Sequence, residues 1–197
     1  MLIVTFTGYK GGVGKSTSAI HLATFLSKYG NVLLVDGDPN RTSISWASRG
    51  HLPFDVADER KAAKAIPGRD WLVIDTPARP NSDDLKELAD GCDLMILPTI
   101  PDINSLEPMI DTSKALKNVS FRALITMAPP HPNKDGEQMQ QDMQASDVPV
   151  FESIIRRSTA FAKAALAGVP IRELKGKSRL PWLDYEQMGK EVLEILR

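Results

Sequence analysis

Lys10-Gly11-Gly12-Val13-Gly14-Lys15-Ser16-Thr17 sets two lysines around three glycines and closes with two hydroxyl side chains. Glycines at this density let successive backbone N–H groups turn inward around an anion. A lysine directly after such a turn reaches the outer phosphates of a nucleotide, and the following hydroxyl serves a Mg²⁺ ion. The spacing departs from G-x-x-x-x-G-K-[ST] and fits K-G-G-x-G-K-[ST], which carries a second lysine, Lys10, ahead of the glycines. Two acidic segments could complete the chemistry. Val32-Leu33-Leu34-Val35-Asp36-Gly37-Asp38 ends an apolar run with two carboxylates one residue apart. If the extended backbone persists, Asp36 and Asp38 share one side and face the phosphates; otherwise Asp38 caps the helix after Pro39. Trp71-Leu72-Val73-Ile74-Asp75 repeats the form, an apolar strand closed by an acid, where one carboxylate suffices to hold a water on Mg²⁺.

These groups need a frame that brings them together. Leu2–Thr7 is an apolar run immediately before the glycine loop, and Ile20, Leu22, Ala23 and Leu26 follow it in a helical pattern. Strand, loop and helix in that order place an anion on the helix N-terminus. Along the rest of the chain, strands are expected near 2–7, 32–36, 71–75, 93–98 and 121–126, with a further short run at 148–151. Helices are expected near 15–29, 41–49, 58–65, 82–90, 104–117, 136–145, 158–167 and 183–196. The strands are near-continuous apolar stretches, as in a parallel sheet covered on both faces. Their alternation with helices predicts an α/β, doubly wound, mostly parallel sheet flanked by helices. Such sheets bind ligands at the carboxyl ends of their strands, where every motif above falls. Residues 1–197 suit a single domain.

Composition narrows the function. One cysteine, Cys92, excludes an intrachain disulfide framework and a multi-thiolate zinc site, and its apolar neighbours Leu94–Leu97 suggest a buried thiol. The chain opens directly into a strand with no basic leader, and no window approaches the ~18 apolar residues of a membrane span; a cytoplasmic location is expected. A net charge of −1 hides a polarised distribution. Residues 151–180 carry seven bases and two acids, whereas residues 55–93 carry ten acids and six bases. The basic end is either a DNA-binding face or a solvated one, with Arg156, Arg157, Lys175, Lys177 and Arg179 as the DNA candidates. The last fifteen residues hold four acids and two bases, which suits a core-packing helix and not a lipid-binding one. Pro129–Gly136 and Lys175–Pro181 read as loops, the first either passive or in contact with a base.

Lys10–Thr17, Val35-Asp36-Gly37-Asp38-Pro39 and Val73-Ile74-Asp75-Thr76-Pro77 together resemble the ParA/MinD family of deviant Walker A ATPases. The similarity runs through nearly the whole chain and is of the small ParA type. Asp36–Arg41, Leu52-Pro53-Phe54, Asp75-Thr76-Pro77-Ala78-Arg79-Pro80, Leu88–Asp93, Pro129-Pro130 and Lys134-Asp135-Gly136 are similar to the carboxysome-positioning branch, the McdA proteins. The resemblance implies an ATPase that uses ATP and Mg²⁺, forms an ATP-dependent homodimer and binds DNA of the nucleoid without sequence preference. It implies a stimulating partner of the McdB or ParB kind, no membrane contact, and a carboxysome or plasmid as cargo. By position, Lys10 corresponds to the signature lysine that contacts the nucleotide of the other protomer. Gly11, Gly12, Val13, Gly14, Lys15, Ser16 and Thr17 correspond to the phosphate loop, Asp38 to the acid that orients the attacking water, and Ser16, Asp36 and Asp75 to the metal side. A small-molecule ligase of the dethiobiotin-synthetase kind is the alternative from another class; an iron–sulfur reductase is excluded by the lone cysteine.

Overall fold

The computed structural model describes residues 1–78, 80, 82–116 and 119–197. Arg79, part of one resemblance segment, and Lys117, the end of an expected helix, lie outside the described residues. Among the described residues six parallel strands form one sheet: β1 (Leu2–Gly8), β2 (Val32–Asp36), β3 (Asp55–Asp58), β4 (Trp71–Ala78), β5 (Leu94–Thr99) and β6 (Phe121–Ile125). Their order across the sheet is β3-β2-β4-β1-β5-β6. The chain therefore winds outward from β1 to one edge, returns through β4, and then builds the other side from β5. A crevice opens outside the carboxyl end of β1 at this reversal.

Helices α1 (Lys15–Leu26) and α8 (Trp182–Ile195) cover one face, with α2 (Thr42–Ala47) and α7 (Ala160–Ala167) beside them. Helices α3 (Glu59–Ala65), α4 (Ser82–Asp90), α5 (Ile103–Ala115) and α6 (Asp135–Ala145) belong to the other. Local chemistry starts several of them. Asp58 caps α3 by accepting from the Arg60 N–H at 2.9 Å, and Asp102 caps α5 by accepting from the Asn104 N–H at 3.1 Å. The helix α1 is buried on nearly every side, because the sheet lies below it and α8 above. Its Ser18 hydroxyl meets the Tyr185 hydroxyl at 3.0 Å in the core. Gly189 of α8 sits directly over the Phe25 ring, a close approach that a Cβ atom would prevent. The final helix is thus core-packed, with Trp182, Tyr185, Met188 and Val192 buried, as its acidic sequence suggested.

Three expectations about the elements needed correction. Among the described residues Asp55–Asp58 forms an edge strand paired only with β2; its short, half-polar Asp-Val-Ala-Asp sequence carries no continuous apolar signal. Residues 148–151 do not form a strand among the described residues. Val150 makes an isolated parallel bridge to Ala123, and Pro149, lacking an N–H, contributes only its carbonyl. The Lys175–Pro181 segment, expected as a loop, contains a short 3₁₀ turn over Gly176–Arg179.

Candidate functional site: a phosphate-binding cleft

β1 ends at Gly8 and the chain wraps into the glycine loop before α1 begins at Lys15. Gly12 and Gly14 lie at φ +77° and +84°, in the left-handed region that favours glycine, and a Cβ on Gly12 would project into open space. The loop is anchored from behind. The Thr126 hydroxyl lies 2.8 Å from the Val13 carbonyl and 3.0 Å from that of Thr99, which ties the loop to the ends of β5 and β6. Above the loop opens a cleft of about 520 Å³, lined by Gly11, Gly12, Gly14, Lys15, Ser16, Thr17, Asp38 and Asn40, with Pro77, Ala78 and Met127 opposite. Backbone amides, an α-helix N-terminus and a lysine converge there, which is an anion site in geometry and charge.

Lys15 is 6 % exposed, and burial lowers its pKa while Asp75 and Asp38 oppose that shift. Asp75, in β4, is fully buried, and burial raises its pKa to about 6 against the pull of the Ser16 and Ser43 hydroxyls. Ser43 donates to Asp75 Oδ2 at 3.0 Å, while Oδ1 is buried without a hydrogen-bond partner. An unsatisfied buried carboxylate oxygen beside a serine at the head of α1 fits a Mg²⁺ ion with its bound water. Ser16 and Asp75 are the residues that would hold it.

Asp36 and Asp38 do not point together as strand alternation suggested. Extended geometry stops at Asp36, and the chain folds back, so that the Asp38 N–H donates to Asp36 Oδ1 at 3.2 Å. Asp36 Oδ2 accepts from the Ile44 N–H at 2.9 Å. Asp36 thus holds the turn and the start of α2 through amide hydrogen bonds to both of its carboxylate oxygens. Burial raises its pKa, and those two amides together with Arg41 counter the shift. Asp38 lines the cleft, with Oδ1 held by the backbone and side-chain amides of Asn40 at 2.8 and 2.9 Å. Arg41, at φ +52°, braces the turn by donating to the Asp36 carbonyl at 2.8 Å and pairing with Asp58 at 3.2 Å. Ser43, Asn40 and Arg41 were not singled out from sequence; polar residues of this kind are common after any strand, and only the fold aims them.

Lys10 lies outside this cleft. Its ammonium donates to Ser105 Oγ at 2.9 Å and meets Asp102 at 3.4 Å, at the start of α5. The basic end separates into two kinds of residue. Arg156 is exposed and makes a bidentate pair with Asp184 at 2.6 and 2.7 Å. Arg157, Lys175, Lys177 and Arg179 are exposed. Arg172 instead lies over the Trp182 ring.

A parallel sheet with a glycine loop at its reversal point, a buried lysine and a buried strand-end acid defines a nucleotide-binding α/β protein. Residues 4–171 match the family model of the CobQ/CobB/MinD/ParA nucleotide-binding domain, and the chain belongs to that family. It is 33% identical to the maintenance of carboxysome distribution protein A of Gloeobacter kilaueensis, over 96% of this chain and 93% of that one. Among solved structures the fold is similar to that of apo McdA from Cyanothece, with a TM-score of 0.75 at 17% identity and complete coverage of both chains. It is also similar to an ATP complex of the Cyanothece protein, with a TM-score of 0.72 at 17% identity, covering 100% of this chain and 96% of that one.

Proposed function

We propose that this chain is a Mg²⁺-dependent ATPase that dimerises on ATP, binds DNA without sequence preference and positions a cargo over the nucleoid. The similarity to the Gloeobacter protein favours a carboxysome as that cargo over a plasmid. Residues 1–197 would act as one ATPase domain, whose turnover a partner protein of the McdB or ParB kind accelerates.

The observation that carries the reading is the division between the two lysines. Lys15 lines its own cleft beside Asp38 and Asp75, whereas Lys10 is turned outward to Asp102 and Ser105. A cation that does not serve its own nucleotide could exchange its partly exposed contacts with Asp102 and Ser105 for the phosphates of a second protomer, whose charge it would neutralise as an arginine finger does. Within one protomer the amides of Gly11–Lys15 hold the phosphates, and Lys15 meets the charge that develops during transfer. Asp38 orients the attacking water, and Asp36 keeps the Asp38 turn and α2 in place. Mg²⁺ supplies Lewis-acid stabilisation of the phosphate oxygens when bound.

Dimerisation would bring two sets of Arg157, Lys175, Lys177 and Arg179 onto one assembly, and phosphate contacts of this kind give affinity without reading sequence. Retention on DNA at low and moderate salt, with and without ATP, tests the cycle. Lys10→Gln should abolish ATP-dependent dimerisation and DNA retention while nucleotide affinity changes less than threefold. Dimerisation indifferent to Lys10→Gln, or DNA retention indifferent to ATP, would remove the proposal.

A further inference from the structure

Arg41 stands at φ +52° and ψ +40°, immediately before α2. That left-handed conformation suits glycine or asparagine, and a long L side chain keeps it only where its contacts hold it there. Here the guanidinium makes those contacts. Its Nη1 donates to the Asp36 carbonyl at 2.8 Å, and its Nη2 lies 3.2 Å from Asp58 and 3.7 Å from Glu59. The backbone N–H of the same residue donates to the Asp38 carbonyl at 2.9 Å. One residue therefore ties the acid-bearing turn to the end of β3 and the start of α3. From this geometry we infer that Arg41 is a positioning residue for ATP hydrolysis: it keeps Asp38 where the attacking water must be oriented, and it does not help to hold the nucleotide.

An arginine beside an anion site ordinarily takes the anion. Asp38, Pro39, Asn40 and Thr42 line the phosphate cleft, but Arg41 among them does not, because its side chain runs the other way to Asp58 and Glu59. The Asp38 carboxylate is held from within its own turn, by the two Asn40 amides, so its place depends on where the turn itself stands. Gly37 anchors the start of that turn by donating its N–H to the Asp75 carbonyl at 2.8 Å. From residues 38–41, the ion pairs that reach β3 and α3 among the described residues are those of Arg41. Its planar fork meets a carbonyl on one nitrogen and carboxylates on the other, a span that a single ammonium does not reproduce.

A catalytic group displaced by about 1 Å can lose up to about a hundredfold in rate while binding survives. Loss of the clamp is therefore read in turnover and not in affinity. This inference rests on the reading of the chain as an ATPase in which Asp38 orients the water.

Arg41→Asn is the informative variant, because asparagine accepts the left-handed backbone and lacks the guanidinium. In the full chain kcat should fall at least tenfold, while KM and affinity for ATP change less than threefold and the unfolding midpoint stays within about 3 °C. Amide exchange across residues 37–44 should quicken severalfold with that across α1 unchanged. Arg41→Lys, which keeps the charge, should recover only part of the turnover. Guanidinium at low millimolar concentration should raise the turnover of Arg41→Gly at least threefold and leave the parent chain unaffected. Parent-like kcat in Arg41→Asn, or unaltered exchange across 37–44, would overturn the role. A variant that unfolds, or loses ATP affinity in step with turnover, would make Arg41 a plain structural brace and overturn it equally. Full recovery by Arg41→Lys, or no rescue by guanidinium, would remove the clamp geometry. A parent chain that binds ATP and never hydrolyses it, DNA included, strikes the ATPase reading and the role of Arg41 with it.

Discussion

The region around α1 on one face of the sheet and the region around α3 on the other are packed to different standards. On one, ten of the twelve residues of α1 are buried, and His21 at its centre is enclosed by Trp46, Phe161, Trp182 and Tyr185. Its Nδ1 donates to the Thr17 carbonyl at 2.6 Å and its Nε2 accepts from the Ile171 N–H at 3.2 Å, which sets a neutral imidazole. On the other face, Ala62 is the one buried residue of α3, and a cleft remains beside α4. The rigid face supports the helix that presents the phosphate loop, so a shift there would displace Lys15 and Ser16. The more open region sits behind the acid-bearing turns. Rigidity and openness are thus placed on opposite sides of the same strands.

Adding one methyl group to the rigid face tests this contrast most severely. Gly189→Ala drives a Cβ into the Phe25 ring, which is 1% exposed and has nowhere to move. A loss of about 3 kcal/mol or more in urea unfolding is expected, near the upper end for overpacked cores. A cost below about 1 kcal/mol would show that α8 is not seated as described.

Asp75→Asn should act in the opposite direction at similar size. The folded protein holds the Asp75 proton more tightly than the unfolded chain, so this group destabilises the nucleotide-free protein progressively as pH rises from near 4 to about 6. His21, lowered to about 4 by burial, has the reverse slope: its contribution is present above its ordinary value near 6.5 and is lost as pH falls toward 4. The two slopes oppose each other across acid pH. Asp75→Asn should therefore raise stability at pH 7 by roughly 3 kcal/mol and expose a steep loss below pH 6. It should also remove Mg²⁺-dependent stabilisation by ATP. Thermal unfolding from pH 4 to 8 reads both slopes.

The smallest change belongs to the open face. Leu88→Ser, at a partly exposed position lining the cleft beside α4, should cost under about 1 kcal/mol of stability in the same unfolding assay. A loss comparable to that of Gly189→Ala would mean that this cleft is closed core and would erase the contrast between the faces.

Much of the site was legible because its parts are short and local. Lys10–Thr17, the Asp36-Gly37-Asp38 turn and the Trp71–Asp75 run each announce a backbone geometry through glycine, apolar continuity and a terminal acid. What escaped depended on residues far apart in the chain. The edge strand Asp55–Asp58 owes its existence to β2, whose free edge it pairs. Arg156 pairs with Asp184, 28 residues on, a partner that nothing local to Arg156 announces.

Sequence alone determined the strand–loop–helix phosphate site and the alternating α/β order, because both follow from periodicity and glycine geometry within a few residues. Only the tertiary structure decided how the charges are partnered. Lys10 turned to Asp102 and Ser105, Asp36 took up its neighbours' amides, and Asp75 kept one carboxylate oxygen unpaired. Electrostatics and hydrogen bonding act through space, and the spacing of residues along the chain does not record those distances.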